Sequence, residues 1–261
     1  MSDSTSAISL GILSRSRVFQ AAPVAELERL APRCTFQRYR AGAEIAYRGG
    51  PGDALGVIGR GCAKGTLPSP SANGELIIAI YVPGEIFGEP PLFDIRPRAT
   101  TVSAITEAEV TFVPKTDLLS LLDRRPGVSI RLLEAVCDKL RGALDLSLSI
   151  RFLDLPSRFY QRLLYLSRYD SIQDGNGVRI HHGLSQQELA DSIGATREAL
   201  NKLISEWKRS GLLDYGRGYI VVSDPAALAQ RLPAAIRQDA IFGPREIGHG
   251  IVPDPTGKPP A

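Results

Sequence analysis

The sequence predicts an α+β chain in three parts: an antiparallel β domain, one long helix, and a small helical domain closed by a β-hairpin. Three observations predict it. From about Phe36 to Thr116, short runs rich in glycine and β-branched residues are separated by turn dipeptides. A helical run without proline follows from Gly127 to about Leu153. Beyond a polar loop, two short amphipathic segments flank Gly194 and lead into the strand-like run Gly218 to Val222.

The 261 residues suit one large or two modest domains. With 43% hydrophobic and 23% charged residues the chain can bury a core, which excludes a wholly disordered or fibrous protein. A mean hydropathy of −0.04 agrees. The net charge of +3 and pI near 8.8 permit a nucleic-acid partner without singling one out. Cys34, Cys62 and Cys137 lie too far apart for a disulfide framework or a compact zinc site, so reduced thiols are expected. His181-His182 has no spaced acidic or cysteine partner, and no metal site is expected. There is no basic leader and no apolar run of the roughly 18 residues that a membrane helix needs. A soluble cytoplasmic protein without membrane contact is the expectation.

Taken in order, residues 1–18 read as an N-terminal arm and 19–122 as the β domain. The strand runs are Ala54–Ile58, Glu75–Val82, Ala99–Ile105 and Glu109–Val113. Pro51-Gly52-Asp53 and Asn73-Gly74 read as tight connections, because glycine supplies the positive φ that such turns require. A hairpin across Asn73-Gly74 follows. Residues 123–154 form the long helix and a hinge; at ~1.5 Å per residue the helix is about 40 Å long. Leu133, Cys137, Leu140 and Leu144 fall at spacings of four, three and four, one stripe suited to the same helix of a second copy. Pro156 closes this segment, and a helix from about Ser157 to Arg168 leads to the polar loop Asp170 to Arg179. Residues 155–230 form the second domain, and the proline- and glycine-rich tail 231–261 is expected to be poorly ordered.

The second domain carries the most informative motif. Ser185 and Glu188 form a capping box that starts a helix at Gln186, running to Ile193 before Gly194 breaks it. Thr196 caps a second helix whose Leu200, Leu203, Ile204 and Trp207 make a buried stripe. Its opposite face presents Glu198, Asn201, Lys202, Ser205 and Arg209, with Arg197 on the flank. Two short helices around a glycine turn, the second exposing groups able to bond base edges, make a helix-turn-helix for double-stranded DNA. Arginine or lysine can bond guanine, glutamate can accept from cytosine, and asparagine can bond adenine. Ser185, Gln187 and Thr196 fall nearer phosphates. Tyr215 to Val222, with Arg217 at its tip, reads as a β-wing.

Several stretches together resemble the cyclic-AMP receptor protein/FNR (CRP/FNR) superfamily of bacterial transcription regulators. They are Gly49–Gly61, Pro83–Phe93, Pro97–Ala104, Phe152–Arg158 and the helix-turn-helix, and they span about residues 19 to 225. The resemblance implies a cyclic-nucleotide-binding-like β-roll, a dimerisation helix and a winged helix-turn-helix. It also implies an effector site at Phe87, Gly88, Glu89, Arg98, Ala99 and Thr100. There Glu89 would accept a ribose hydroxyl, Arg98 would pair with a phosphate, and backbone N–H groups near Gly88 and Ala99 would complete the cradle. Ala99 stands where cyclic-AMP binders carry a hydroxyl, and Ala143-Leu144 stand where a threonine-serine pair meets the adenine. The effector is therefore open among cyclic AMP, cyclic GMP, cyclic di-GMP and none, and no tightly bound cofactor is expected. A lone Cys34 near the N-terminus does not meet the needs of an iron-sulfur sensor. Arg197 and Glu198 match the family's base readers, while Lys202 replaces its arginine.

The expected protein is a homodimer that places two recognition helices about 34–36 Å apart on a palindromic operator. RNA polymerase is an expected partner, through the loop Tyr169 to Arg179 with Asp174 and Asn176. No Walker loop, G-x-S-x-G or H-E-x-x-H is present, and no enzyme activity is expected. A nucleotide-binding module that regulates a partner protein leaves the helix-turn-helix unexplained.

Overall fold

The computed structural model describes residues 2–68, 75–94, 96–167, 171–175, 177–216, 218–231 and 233. The chain opens with helices α1 (Ser2–Arg15) and α2 (Val24–Leu30). Strands β1 (Thr35–Tyr39), β2 (Glu44–Ala46), β3 (Ala54–Arg60), β4 (Ala63–Pro68), β5 (Glu75–Tyr81) and β6 (Ile86–Phe87) follow. A short helix α3 (Pro90–Asp94) precedes β7 (Thr101–Ala104) and β8 (Ala108–Pro114). These strands form two antiparallel sheets, β1-β8-β3-β6 and β2-β7-β4-β5. Their facing sides enclose Ala46, Ile58, Ala63, Tyr81, Phe87, Val102 and Val110. Strand β3 is buried on both faces: Ile58 points into this roll, while Leu55 and Val57 meet the helices outside it. Gly56 is required where it stands, since a Cβ there would lie 2.1 Å from the Phe87 ring.

Helices α4 (Lys115–Arg124) and α5 (Pro126–Phe152) leave the roll. Leu118, Leu121, Val128 and Leu132 pack with Leu55, Val57 and Val113 against α1 and α2. The sequence expectation of an N-terminal arm is corrected here. Residues 2–15 are helix α1, and Ile12 and Leu13 are 1% and 0% exposed in that outer core. Apolar burial of two large side chains fixes the segment on the roll.

Only Leu153 and Asp154 separate α5 from α6 (Leu155–Ser167). Pro156 sits in the first turn of α6, where its missing N–H leaves no bond unmade, and so it opens this helix instead of closing the one before. The Asp154 side chain accepts from the Ser157 N–H at 3.0 Å and caps the turn. Next come β9 (Ser171–Asp174), β10 (Gly177–His181), α7 (Gln186–Asp191), α8 (Arg197–Arg209), β11 (Leu213–Gly216), β12 (Tyr219–Val222) and α9 (Pro225–Gln230). The sheet order β11-β12-β10-β9 makes the wing part of a four-stranded sheet. Helix α7 ends two residues before the expected Ile193, whose N–H bonds Ala190 in a tightened last turn. The strands flanking Asn73-Gly74 pair as a hairpin through Pro68 and Glu75. The turn itself, Asn176, Arg217 and the tail beyond residue 233 lie outside the described residues.

The two domains share one core. Ile77 and Ile80 of β5 belong to the same buried cluster as Phe159, Leu189, Ile193 and Trp207. Phe159 lies at the centre of the second domain, 0% exposed, its ring centroid 5.4 Å from that of Trp207. Phe159→Ala should cost about 3–5 kcal/mol, the range for emptying a large core site. Trp207, the chain's single tryptophan, reports this directly: its emission in a urea titration should shift at a lower midpoint than in the wild type.

Candidate functional site

The expected effector site centres on Glu89 and Arg98, of which Glu89 lines the cleft along α5 and Arg98 does not. Glu89 is 5% exposed, and a buried carboxylate needs a cation. That cation is the Lys139 ammonium of α5. Lys139 also donates to the Ile86 carbonyl at 2.6 Å and lies 5.1 Å from the Tyr81 ring centroid, so its three donors face three acceptors. Arg98 is half-buried. Its Nε donates to the Pro51 carbonyl at 2.8 Å and its Nη2 to the Ala54 carbonyl at 3.1 Å. The loop 49–54 is thus a carbonyl cradle for the guanidinium. Its main chain is pinned to Arg98 as well, through Gly49 N–H to Arg98 C=O and Arg98 N–H to Gly50 C=O. Burial pulls the Arg98 pKa down, while Asp53 and Glu89 oppose the change. Gly88 has φ +86°, and a Cβ there would stand 2.2 Å from Arg98 Nη1, so only glycine lets the guanidinium sit beside the main chain.

Phe87 fills the roll interior at 0% exposure, against Tyr81 and Phe112, as a core residue and not as a lining residue of the cleft. Ala99 is exposed and Thr100 half-buried. From Glu89 a cleft of about 960 Å³ runs along α5 to α6, passing Tyr81, Glu85, Lys139, Leu146, Arg158 and Tyr165. Glu85 accepts from the Val82 N–H at 3.1 Å. Burial raises its pKa from the ordinary value of 4.5 to about 7; the Val82 bond, Lys139 and Arg17 act against this, and the charge of Glu89 adds to it.

Helix α5 has two unlike faces. Val128, Leu132, Ala135, Lys139, Leu146 and Ser149 turn toward the protein and are buried or half-buried. Leu133, Leu140 and Leu144 are 63%, 59% and 55% exposed, and Cys137 is exposed with them. Ile130, Leu148 and Phe152 extend this bare apolar stripe at both ends.

In the second domain the capping box is present in full. The Ser185 hydroxyl accepts from the Glu188 N–H, and the Glu188 carboxylate accepts from the Ser185 N–H and hydroxyl. Thr196 Oγ1 caps α8 through the Ala199 N–H at 3.2 Å. Arg197, Glu198 and Lys202 are exposed on α8. Asn201 is different: it is half-buried, and its Oδ1 is enclosed without a hydrogen-bond partner among the described residues. The expectation that it lies on the open reading face is corrected, because the helical spacing puts it on the flank, next to the buried stripe. The Gln187 amide is held by Asp191 at 2.8 Å. Arg158 donates to the Ile193 and Gly194 carbonyls, which fastens the turn between α7 and α8 to α6. Asp174 is bonded by Arg179 through Nε and Nη2, so its carboxylate is engaged within its own hairpin. His182 is a core group: its Nδ1 accepts from the Leu184 N–H at 3.0 Å, and burial pulls its pKa down to about 4.

Residues 36–125 match the family model for the cyclic nucleotide-binding domain, and residues 157–231 match that for the Crp-like helix-turn-helix domain. The CRP-like cAMP-activated global transcriptional regulator of Mycobacterium tuberculosis is 30% identical over 220 residues, covering 84% of this chain and 98% of that protein. The chain belongs to the CRP/FNR superfamily. It is by family a CRP-like DNA-binding transcription regulator. Among solved structures, FixK2 from Bradyrhizobium japonicum matches with a TM-score of 0.67 at 22% identity, over 77% of this chain and 98% of that one. The c-di-GMP responsive global regulator CLP of Xanthomonas campestris matches with a TM-score of 0.65 at 22% identity, over 77% and 99%. At that identity these structures speak for the fold alone. No helix of the described residues is long and apolar enough to cross a membrane.

Three contributors to the site of this CRP/FNR regulator escape sequence reasoning: Lys139, Glu85 and the carbonyls of Pro51 and Ala54. A lysine interrupting the inward stripe of α5 is the one visible signal. The raised Glu85 pKa gives a test with a defined sign. The folded chain holds this proton more tightly than the unfolded chain, so its contribution to stability is lost as pH rises from about 4.5 to about 7. Urea midpoints of wild type and Glu85→Gln should therefore be closest at low pH. Their difference should grow through this interval in favour of the variant, then level off.

Proposed function

We propose that the chain acts as a homodimer that reads a palindromic operator and is gated by a small anionic effector, a cyclic nucleotide, in the β-roll. The observation that carries this reading is the outer face of α5. A contiguous exposed stripe of leucines marks an interaction surface, and a second copy of the same helix covers it with the same spacing. The two-fold symmetry of that pairing suits two half-sites, each taking one α8 with Arg197, Glu198 and Lys202 toward base edges. Ser185 and Thr196, at the two helix starts, lie where phosphates approach N-terminal amides, and Gln187 lies beside them.

The effector assignment rests on chemistry. A cyclic nucleotide has one phosphate charge and a ribose hydroxyl, and Arg98 beside Glu89 offers a donor fork and an acceptor of the required kinds. The Mycobacterium tuberculosis relative is named for activation by cAMP and CLP for its response to c-di-GMP, so both belong in the trial with cyclic GMP. Effector binding gates DNA reading only insofar as it favours one arrangement of the dimer over another. A second reading, a regulator that works with the roll empty, is favoured by one observation: Lys139 already neutralises Glu89 from within. RNA polymerase is the proposed further partner, met by the β9–β10 hairpin.

Calorimetric titration with cyclic AMP, cyclic GMP and cyclic di-GMP separates the two readings. Micromolar binding of one of them, lost in Arg98→Leu, is the expected result; wild-type protein that binds none leaves the regulator with an empty roll. The dimer has its own assay. Cys137 on one α5 meets its copy across the two-fold axis, so mild oxidation with diamide should give a dimer on a non-reducing gel. Cys137→Ser should abolish that band, and a band that persists would remove the proposed register.

A further inference from the structure

A second ion pair ties the reading head to the sensor domain. Lys64 of β4 has a side chain 14% exposed, and its Nζ lies 2.8 Å from Glu188 Oε1 on α7 and 3.6 Å from Glu75 Oε2 on β5. Glu188 is the residue that closes the capping box: its Oε2 accepts from the Ser185 N–H and hydroxyl, each at 2.8 Å. One carboxylate thus starts the first helix of the helix-turn-helix and binds that helix to the roll. Around the pair, Ile77 and Ile80 are 0% and 4% exposed within the core of the second domain. The same strand turns Tyr81 inward, where it touches Phe87 and lies beneath Lys139. Arg197, Glu198 and Lys202 stay exposed while this docking is in place.

We propose that Lys64 is a positioning residue for DNA reading: by pairing with the capping glutamate of α7 it fixes the helix-turn-helix on the β4–β5 hairpin of its own chain. The inference rests on the DNA-reading role proposed above. Its physical basis is the break in the helix at Leu153 and Asp154: α5 does not continue into α6, so contacts beyond the joint set the orientation of the second domain. An orientation set before DNA arrives need not be set at the cost of binding. Lys64 is also the cation among three carboxylates, since Asp191 feels its charge together with those of Glu75 and Glu188. Without it these acids face one another across the domain seam, and like charges there push the domains apart.

The test uses full-length protein and a duplex that the wild type itself selects from a randomised pool. Lys64→Met keeps the length of the side chain and removes the charge; Glu188→Gln keeps the cap, since glutamine also serves at that position. Each should weaken affinity on the order of tenfold, and the double variant should be no weaker than either alone, because coupled residues fail to add. Lys64→Arg should restore binding, and protease cleavage at the joint between α5 and α6 should be faster in Lys64→Met. An unchanged far-ultraviolet circular dichroism spectrum and a cooperative urea transition verify that every variant is folded. Wild-type affinity and wild-type protection of the joint in Lys64→Met, or losses that add, overturn the positioning role. A wild type that selects no duplex, or selection unchanged in the Arg197→Ala, Glu198→Ala double variant, overturns the DNA reading beneath it.

Discussion

A carboxylate buried in the mouth of a β-roll sets the geometry of this protein. Glu89 has lost nearly all contact with water, and an isolated charge in that position is far more costly than its neighbours could tolerate. The compensating ammonium comes from Lys139, on a different element and a different stretch of chain. The pair therefore fixes the rotation of α5 about its own axis. With Lys139 turned inward, residues one-third of a turn away must face out, and these include Leu133, Cys137, Leu140 and Leu144. The bare stripe that suits a second copy and the ion pair that closes the pocket are two sides of one helix orientation.

Arg98 shows the same economy from the other sign of charge. Its guanidinium is held by the carbonyls of Pro51 and Ala54, so the loop 49–54 is shaped by what it binds as well as by its turn residues. Both charges of the expected site thus have protein partners in the chain as it stands. The guanidinium has five N–H groups and these carbonyls take two of them, whereas the Glu89 carboxylate is shared with Lys139. The partners of the two charges belong to the 49–54 loop and to α5.

Local features of the fold were the legible ones. The capping box of α7, the Thr196 cap, the Gly194 turn and the buried stripe of α8 each depend on residues a few positions apart, and all are present as read. The strand runs that became β3, β5, β7 and β8 and the length of α5 were equally plain, since periodicity and proline punctuation are written within a short window, while β1, β2, β4 and β6 carry no such run. What stayed hidden depends on distant partners. Lys139 and Glu89 are separated by 50 positions and Lys64 and Glu188 by 124, and no spacing rule connects them. Helix α1 was missed for a related reason: its serine-rich sequence has a weak amphipathic pattern, and only the roll surface shows that Ile12 and Leu13 have a place to go. Asn201 reads from spacing as part of the face opposite the buried stripe, while its position at the edge of that face encloses its Oδ1.

Sensor and reader are joined by two structures of unlike character. Helix α5 ends at a two-residue joint, and contacts beyond it hold the second domain. The β4–β5 hairpin supplies that hold, with Lys64, Ile77 and Ile80 on its outer side and Tyr81 on its inner side. A single strand is therefore the wall of the pocket and the floor of the reading domain. Because close-packed cores shift as units and deform little, a displacement of β5 at Tyr81 must be taken up where Ile77 and Ile80 enter the core around Trp207. That shared wall is the physical link between the two domains of one chain. The ion pair at Lys139 touches both structures, through the helix that carries it and the Tyr81 ring beneath it.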